Sequence, residues 1–392
     1  MVRIFLVRVM HVSDDVPFFR LELLEEEVNS VVSVLRSGWL TTGPQVALFE
    51  QEFAEFIGGG VQAAAVASNT AGMHIVLEAL GVGPGDEVIV PTLTFTATAE
   101  VVRYLGAEVV FVDVDQQSLC VDPEKIAAAI TPRSRAILAV HFGGRPCDMA
   151  RIYELAEPLN IAVVDDAAHA LPTAINGIHV GASSSAAAIF SFYANKPMTT
   201  GEGGMIVSRN QSVIDRCRIT RLHGIDHDSF ARSTTGQSKW RYDVIMPGFK
   251  YNMSDIAGSL GRGQLLRVLE SHRKRQAIAA RYREELADLP LILPVWPQSY
   301  QTHSWHLYPV QLDDSMRRDE FVEHLSRHRI GFSVHYTPLH QMTYWRERYG
   351  LSDNQFPVAT QYAGRCISLP IFPSMRDDEV SRVIAVVRSA FK

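Results

Sequence analysis

Between about residue 61 and residue 207, short apolar runs alternate with amphipathic stretches, and this alternation constrains the fold more than any other feature. AAAVAS ends at Ser68, and the helical pattern AGMHIVLEAL follows. DEVIVP reads as a strand, TATAEVVRYLG as a helix and EVVFVDV as a strand. PEKIAAAI is helical, with Asp122 and Pro123 placed as cap and first-turn residue. RAILAVHF, IAVVDDA, IFSFY and GGMIVS are further strands, with MARIYELAEPLN a helix before the second. Repeated strand–helix units predict an α/β fold: a mostly parallel sheet of about seven strands with helices on both faces. Ligands of such folds sit beyond the carboxyl ends of the strands, where Ser68, Pro91, His141 and Asp165 fall.

After about residue 265 the texture changes. HRKRQAIAARYREELADL is a charged connecting helix, WHLYPVQL a strand, RRDEFVEHLSRHRI a helix, GFSVHY a strand and DDEVSRVIAVVRSAF a closing helix. The expected organisation is a tail over 1–16, a large domain over 17–265 and a smaller α+β domain over 266–392. A chain of 392 residues is long enough for two such units. Its formal charge of -6 is spread evenly, without a basic block, which argues against nucleic acid as a partner. The apolar start MVRIFLVRVMHV is short and broken by Arg3 and Arg8, so neither a signal peptide nor a membrane span is expected. Cys120, Cys147, Cys217 and Cys366 form no CxxC pair, which suits reduced thiols in a cytoplasmic protein and argues against structural zinc.

The chemistry concentrates in residues 161–204. Lys196 is the one lysine there, in a turn followed by Pro-Met-Thr-Thr-Gly-Glu-Gly-Gly, and Asp165 and Asp166 end an apolar strand thirty residues earlier. That pairing suits pyridoxal 5'-phosphate (PLP): the lysine forms the Schiff base, and a carboxylate holds the pyridinium proton. Asp165 and Asp166 cannot face one way from a strand, so one points at the cofactor and the other away. Ser68-Asn69-Thr70-Ala71-Gly72 joins a strand to a helix, an arrangement that serves equally as a phosphate cup or as simple capping. Phe95, just past a strand end, is a stacking candidate or a core aromatic. His141 and His169 read as hydrogen-bonded structural or cofactor-edge histidines, since no ligand stands at metal spacing. GVGPGDE and GEGG lack the strand-to-helix context of a dinucleotide fingerprint, and neither GxSxG nor HExxH occurs.

Taken in order, SGWLTTGP (37–44), ASNTAGMH (67–74), GDEVIVPTLTFTATA (85–99), AVVDDAAHA (162–170), IFSFYANKPMTTGEGG (189–204), RLHGI (221–225), YNMSDI (251–256) and VHYTPLH (334–340) resemble the DegT/StrS-type sugar aminotransferases, a fold-type-I PLP family. The resemblance is strongest to members that aminate C4 of a UDP-linked 4-keto sugar, such as the enzyme making UDP-4-amino-4-deoxy-L-arabinose. It implies that Lys196 is the Schiff-base lysine and Asp166 the partner of the pyridine nitrogen. It places Thr70, Ala71 and Ser191 at the phosphate, Phe95 against the ring and His169 beside the ring oxygen. Asn252 is expected to reach the phosphate of a neighbouring subunit, which requires a homodimer. Trp39, Thr41, Thr42, Tyr193, His223, Tyr251, His335 and Tyr336 are implied for the sugar nucleotide pocket, with L-glutamate as amine donor. Lys196 argues against the dehydrating branch, which has His there. Pro197 after the lysine, and Tyr193 where arabinose-type relatives have His, depart from the family pattern. Amination at C3, or of a dTDP- or GDP-sugar, therefore stays open, as does a regulatory protein on the same fold.

Overall fold

The computed structural model describes residues 15–226, 242–313 and 316–392. The expected tail thus lies outside the described residues, except for Asp15 and Val16. In chain order, the strands of the first half are β1 (Gln62–Val66), β2 (Glu87–Pro91), β3 (Glu108–Val112), β4 (Ser134–Val140) and β5 (Ala162–Asp166). The short hairpin β6 (Ala174–Ile175) and β7 (Ile178–His179) follows, then β8 (Ala187–Ser191) and β9 (Gly204–Ser208). Seven of these form one sheet in the order β1-β9-β8-β5-β4-β2-β3. The pairs β2/β3, β2/β4, β4/β5 and β5/β8 are parallel, and only β9 runs against its neighbours β1 and β8. The alternation in the sequence therefore becomes the expected sheet.

Every residue of β2 is buried, and so are Ala63–Val66 in β1, because helices cover both faces. On one face Met73, Ile75 and Val76 from the helix Asn69–Ala79 pack with Ile189 and Ile206. On the other, Phe53 from the helix Pro44–Ile57 packs edge-on with Phe190 and Phe192, and Phe49 lies tilted against Phe192. Each such fully buried side chain contributes about 1.5–3 kcal/mol of transfer free energy. The sheet is thereby a rigid platform whose strand ends carry the site.

A second sheet joins β10 (Leu291–Ile292), β12 (Tyr308–Leu312) and β13 (Cys366–Leu369), while β11 (Gln301–Thr302) extends the β6/β7 hairpin. The charged connector is the helix Val268–Glu285, and the closing helix is Asp377–Ser389. Val16 bridges to Ile330 and packs in the same cluster as Trp305, Phe321 and Val383. GFSVHY is not a strand. Only Ser333 makes an isolated bridge, to Ser368, because the chain leaves the sheet there and sends His335 and Tyr336 to the wall of a cavity.

Candidate active site

Beyond the carboxyl ends of β1, β4, β5 and β8 opens a cavity of about 490 Å³. Its walls include Thr70, Phe95, Asp166, His169, Ser191, Tyr193, Lys196, His335 and Tyr336, all singled out in the sequence. Period-two geometry aims Asp166 into this cavity and leaves Asp165 on the opposite side, among Ser185 and His141.

Asp166 is held from three directions. Thr98 Oγ1 donates to Oδ2 at 2.8 Å, the Ala168 N–H donates to Oδ1 at 3.2 Å, and Asn69 Nδ2 stands 3.4 Å from Oδ1. Burial pushes this carboxyl above its ordinary value, against the hydrogen bonds from Thr98 and Ala168 and the charge of Lys196. Burial likewise brings the Lys196 amine down to about 8, with Asp166 pulling the other way. An amine so poised is partly unprotonated near neutral pH, as a nucleophile or base requires.

The phosphate-cup candidate is the start of the helix Asn69–Ala79. Ser68 caps it by accepting the Ala71 N–H at 3.1 Å, so this N–H is engaged within the turn and Ala71 does not line the cavity. Ser68, Asn69 and Thr70 do line it, at the positive end of the helix dipole, with Ser191 nearby at the end of β8. Phe95 is 60% exposed, an uncovered aromatic face at the cavity wall. His169 Nδ1 accepts the Gly143 N–H at 3.2 Å, which leaves the ring proton on Nε2 to donate to Tyr336 Oη at 3.1 Å. Burial keeps this imidazole well below its ordinary value, hence neutral, and pushes His335 down to about 4.

Thr98, Thr94, Asn195 and Glu202 also line the cavity and were missed in the sequence. Thr98 could have been found from its place in the first turn of a helix facing the Asp166 strand end. Asn195 gave no signal beyond adjacency to Lys196, yet its Oδ1 is buried without a hydrogen-bond partner among the described residues. An orphaned acceptor, a neutral anion cup, an exposed aromatic and an amine facing a carboxylate together fit a phosphorylated pyridine aldehyde.

Six of the expected residues lie elsewhere in the chain. Thr42 Oγ1 donates to the Met253 carbonyl and accepts from Asn252 Nδ2, each at 2.7 Å, and Lys250 Nζ donates to Asn252 Oδ1. Trp39 Nε1 donates to the Thr42 carbonyl, and Thr41 is exposed beside it. The His223 N–H bonds the Phe249 carbonyl, and Tyr251 stacks on Phe249. The structure gathers these residues around the 39–43 loop and the 249–253 segment, not at the walls of this cavity.

The fold and the lysine–carboxylate cavity define a PLP-dependent aminotransferase. The chain belongs to the DegT/DnrJ/EryC1/StrS aminotransferase family, whose sequence pattern it matches over residues 22–388. It is 41% identical over 372 residues to the spore coat polysaccharide biosynthesis protein SpsC of Bacillus subtilis (strain 168), covering 94% of this chain and 95% of that protein. Among solved structures, DesV of S. venezuelae superposes with a TM-score of 0.88 at 33% identity, covering 96% of this chain and 99% of the other. Spr1654 of Streptococcus pneumoniae in its PLP form gives 0.87 at 30%, covering 96% and 100%. The enzyme is thus a sugar aminotransferase. Its four cysteines are free and buried, and among the described residues no helix is long and apolar enough to cross a membrane.

Proposed function

We propose that this enzyme moves an amino group from L-glutamate to C4 of a UDP-linked 4-keto sugar, in the service of polysaccharide building. The observation that carries the reading is the Lys196 amine, lowered to about 8 inside one cavity with Asp166. When bound, PLP supplies an aldehyde that takes up amines and a ring that draws electrons from the adjoining carbon. Lys196 Nζ holds that group covalently and, once freed, takes and returns a proton at its own nitrogen. Asp166 keeps a proton on the ring nitrogen through its carboxylate, and Thr98 orients that carboxylate. Ser68, Thr70 and Ser191 anchor the phosphate, Phe95 covers the ring, and His169 with Tyr336 borders its oxygen edge.

Asn252, with Trp39, Thr41, Thr42, His223 and Tyr251, serves the cavity of a second copy of the chain. Support comes from their separation from the chain's own cavity and from exposed apolar side chains nearby, including Leu40, Val244 and Ile245. Tyr193, 48% exposed at the cavity wall, and His335 face the sugar nucleotide. The test is a panel of keto sugar nucleotides with L-glutamate, following 2-oxoglutarate. Release with UDP-4-keto sugars is expected. Turnover confined to 3-keto or dTDP-linked sugars would sink the assignment of substrate while leaving the transaminase reading intact.

A further inference from the structure

The helix Val268–Glu285 carries a dense run of charge, yet one of its arginines is buried. Arg275, Ile278, Ala279 and Tyr282 fall at helical spacing on one face, and all four are buried. Arg275 is 4% exposed. Its Nη1 donates to the Ile371 carbonyl at 2.7 Å, with the Trp305 carbonyl at 3.5 Å. Its Nε has no hydrogen-bond partner among the described residues.

No carboxylate among the described residues pairs with this guanidinium. Burial brings it down to about 10, and no neighbouring acid pulls it back. Arg20 and Arg267, which line the same small cavity as Arg275, are matched instead, the first by Glu379 and the second by Glu22 and Glu27. An uncompensated buried charge destabilises the fold, and an anion that enters beside it offsets that loss.

This small cavity adjoins the reactive lysine, since Asn195 and Lys196 line both it and the active-site cavity. His306 lies between the same groups, its ring centroid 4.4 Å from that of His169. Burial, then the charges of His169, Lys196 and Arg275, hold the His306 ring well below its ordinary value. The free space beside Arg275 is about 40 Å³, where a single water needs about 10–15 Å³. A carboxylate fits there and a diphosphate does not. In an α-amino acid the carboxyl carbon is two bonds from the nitrogen, and that nitrogen has to reach the place where Lys196 Nζ works. From this geometry we infer that Arg275 anchors the α-carboxylate of the amino-acid donor, in a subsite beside Lys196. The inference rests on the reading that an amino acid supplies the amine.

Crystals of the wild-type holoenzyme with α-methyl-L-glutamate, which has no α-proton to lose, should place its α-carboxylate within hydrogen-bond distance of Arg275. A carboxylate held elsewhere overturns the proposal. In steady-state assays, kcat/KM for L-glutamate should fall about 100-fold in Arg275→Met and less in Arg275→Lys. In both variants, kcat/KM for the keto sugar nucleotide and the affinity for PLP should stay near wild type. An unchanged donor value, or an equal loss for donor and sugar in the folded lysine variant, overturns the proposal as well. Wild type that ignores L-glutamate but uses another amino acid would sink the glutamate reading alone, and that acid's carboxylate then takes the place at Arg275. An amine donor without a carboxylate would sink both.

Discussion

Thr98 Oγ1 donates to Asp166 Oδ2 at 2.8 Å and also lies 2.8 Å from Thr94 Oγ1. The carboxylate that faces the cavity is therefore held by the first turn of the helix Ala97–Tyr104, which follows β2, two strands over in the sheet from its own β5.

Removing that donor should raise the Asp166 carboxyl further, because Thr98 stabilises the ionised form. The ionised fraction is then lost at higher pH. Thr98→Val should lower turnover about tenfold at pH 7 and move the acid limb upward, while Thr98→Ser should stay near wild type. A pH series of kcat/KM separates the two.

Lys196→Ala should abolish transamination together with the absorbance of lysine-bound cofactor; near-wild-type turnover would remove the lysine from the mechanism. In the apoenzyme the free amine has a value of about 8 and its unprotonated form is the nucleophile, so uptake of added PLP should speed up as pH rises through 8, which stopped-flow absorbance reads.

The same amine costs stability in the apoenzyme. Its folded value of about 8 lies below the ordinary 10.5, so at pH 7 a charge is held in an unfavourable place. Stability is gained as pH rises from about 8 to 10.5, where the unfolded chain binds more protons. Lys196→Met apoenzyme should therefore be more stable at pH 7 by about 2 kcal/mol, allowing for solvent in the cavity, with the gap narrowing by pH 10.5. Thermal melts at the two pH values decide it.

Gly72 lies where a Cβ would approach Ile189 Cγ2 at 2.7 Å. Gly72→Ala should push the helix Asn69–Ala79 off β8, costing about 1–3 kcal/mol and weakening cofactor binding. Calorimetry and PLP titration read both effects; unchanged affinity would separate the cup from the phosphate.

Glu50 accepts the Ala65 N–H and pairs with Arg221, which also bonds the Ala65 carbonyl at 2.7 Å. Glu50→Ala should cost about 3–5 kcal/mol by stranding a buried guanidinium, and adding Arg221→Met should restore part of it. Denaturant melts of the two variants test this.

The seven-stranded sheet was legible because parallel strands buried on both faces read as apolar runs, and helices between them show their own period. The meeting of Lys196 and Asp166 in one cavity was legible because each lies at a strand end or turn, whereas the Ser68–Thr70 turn read equally as a cap, which Ser68 does form. GFSVHY misled because its alternation suits a strand, while its backbone departs to deliver His335 and Tyr336. Thr98 and Asn195 were invisible for a related reason: their importance comes from facing residues of distant segments. The two acids were separable from strand periodicity, because successive residues of a strand face opposite sides of the sheet.

Arg20 pairs with Glu379, and Val16 completes a cluster built mostly from residues after 278. Contacts of such sequence separation close late, since the intervening chain must first become compact. As the polypeptide emerges from the ribosome, the segment around Val16 waits, its apolar side uncovered, while the whole parallel sheet is made. Its partner exists only once the segment from Ile278 onward has been made, so a segment synthesised before the sheet is packed after it.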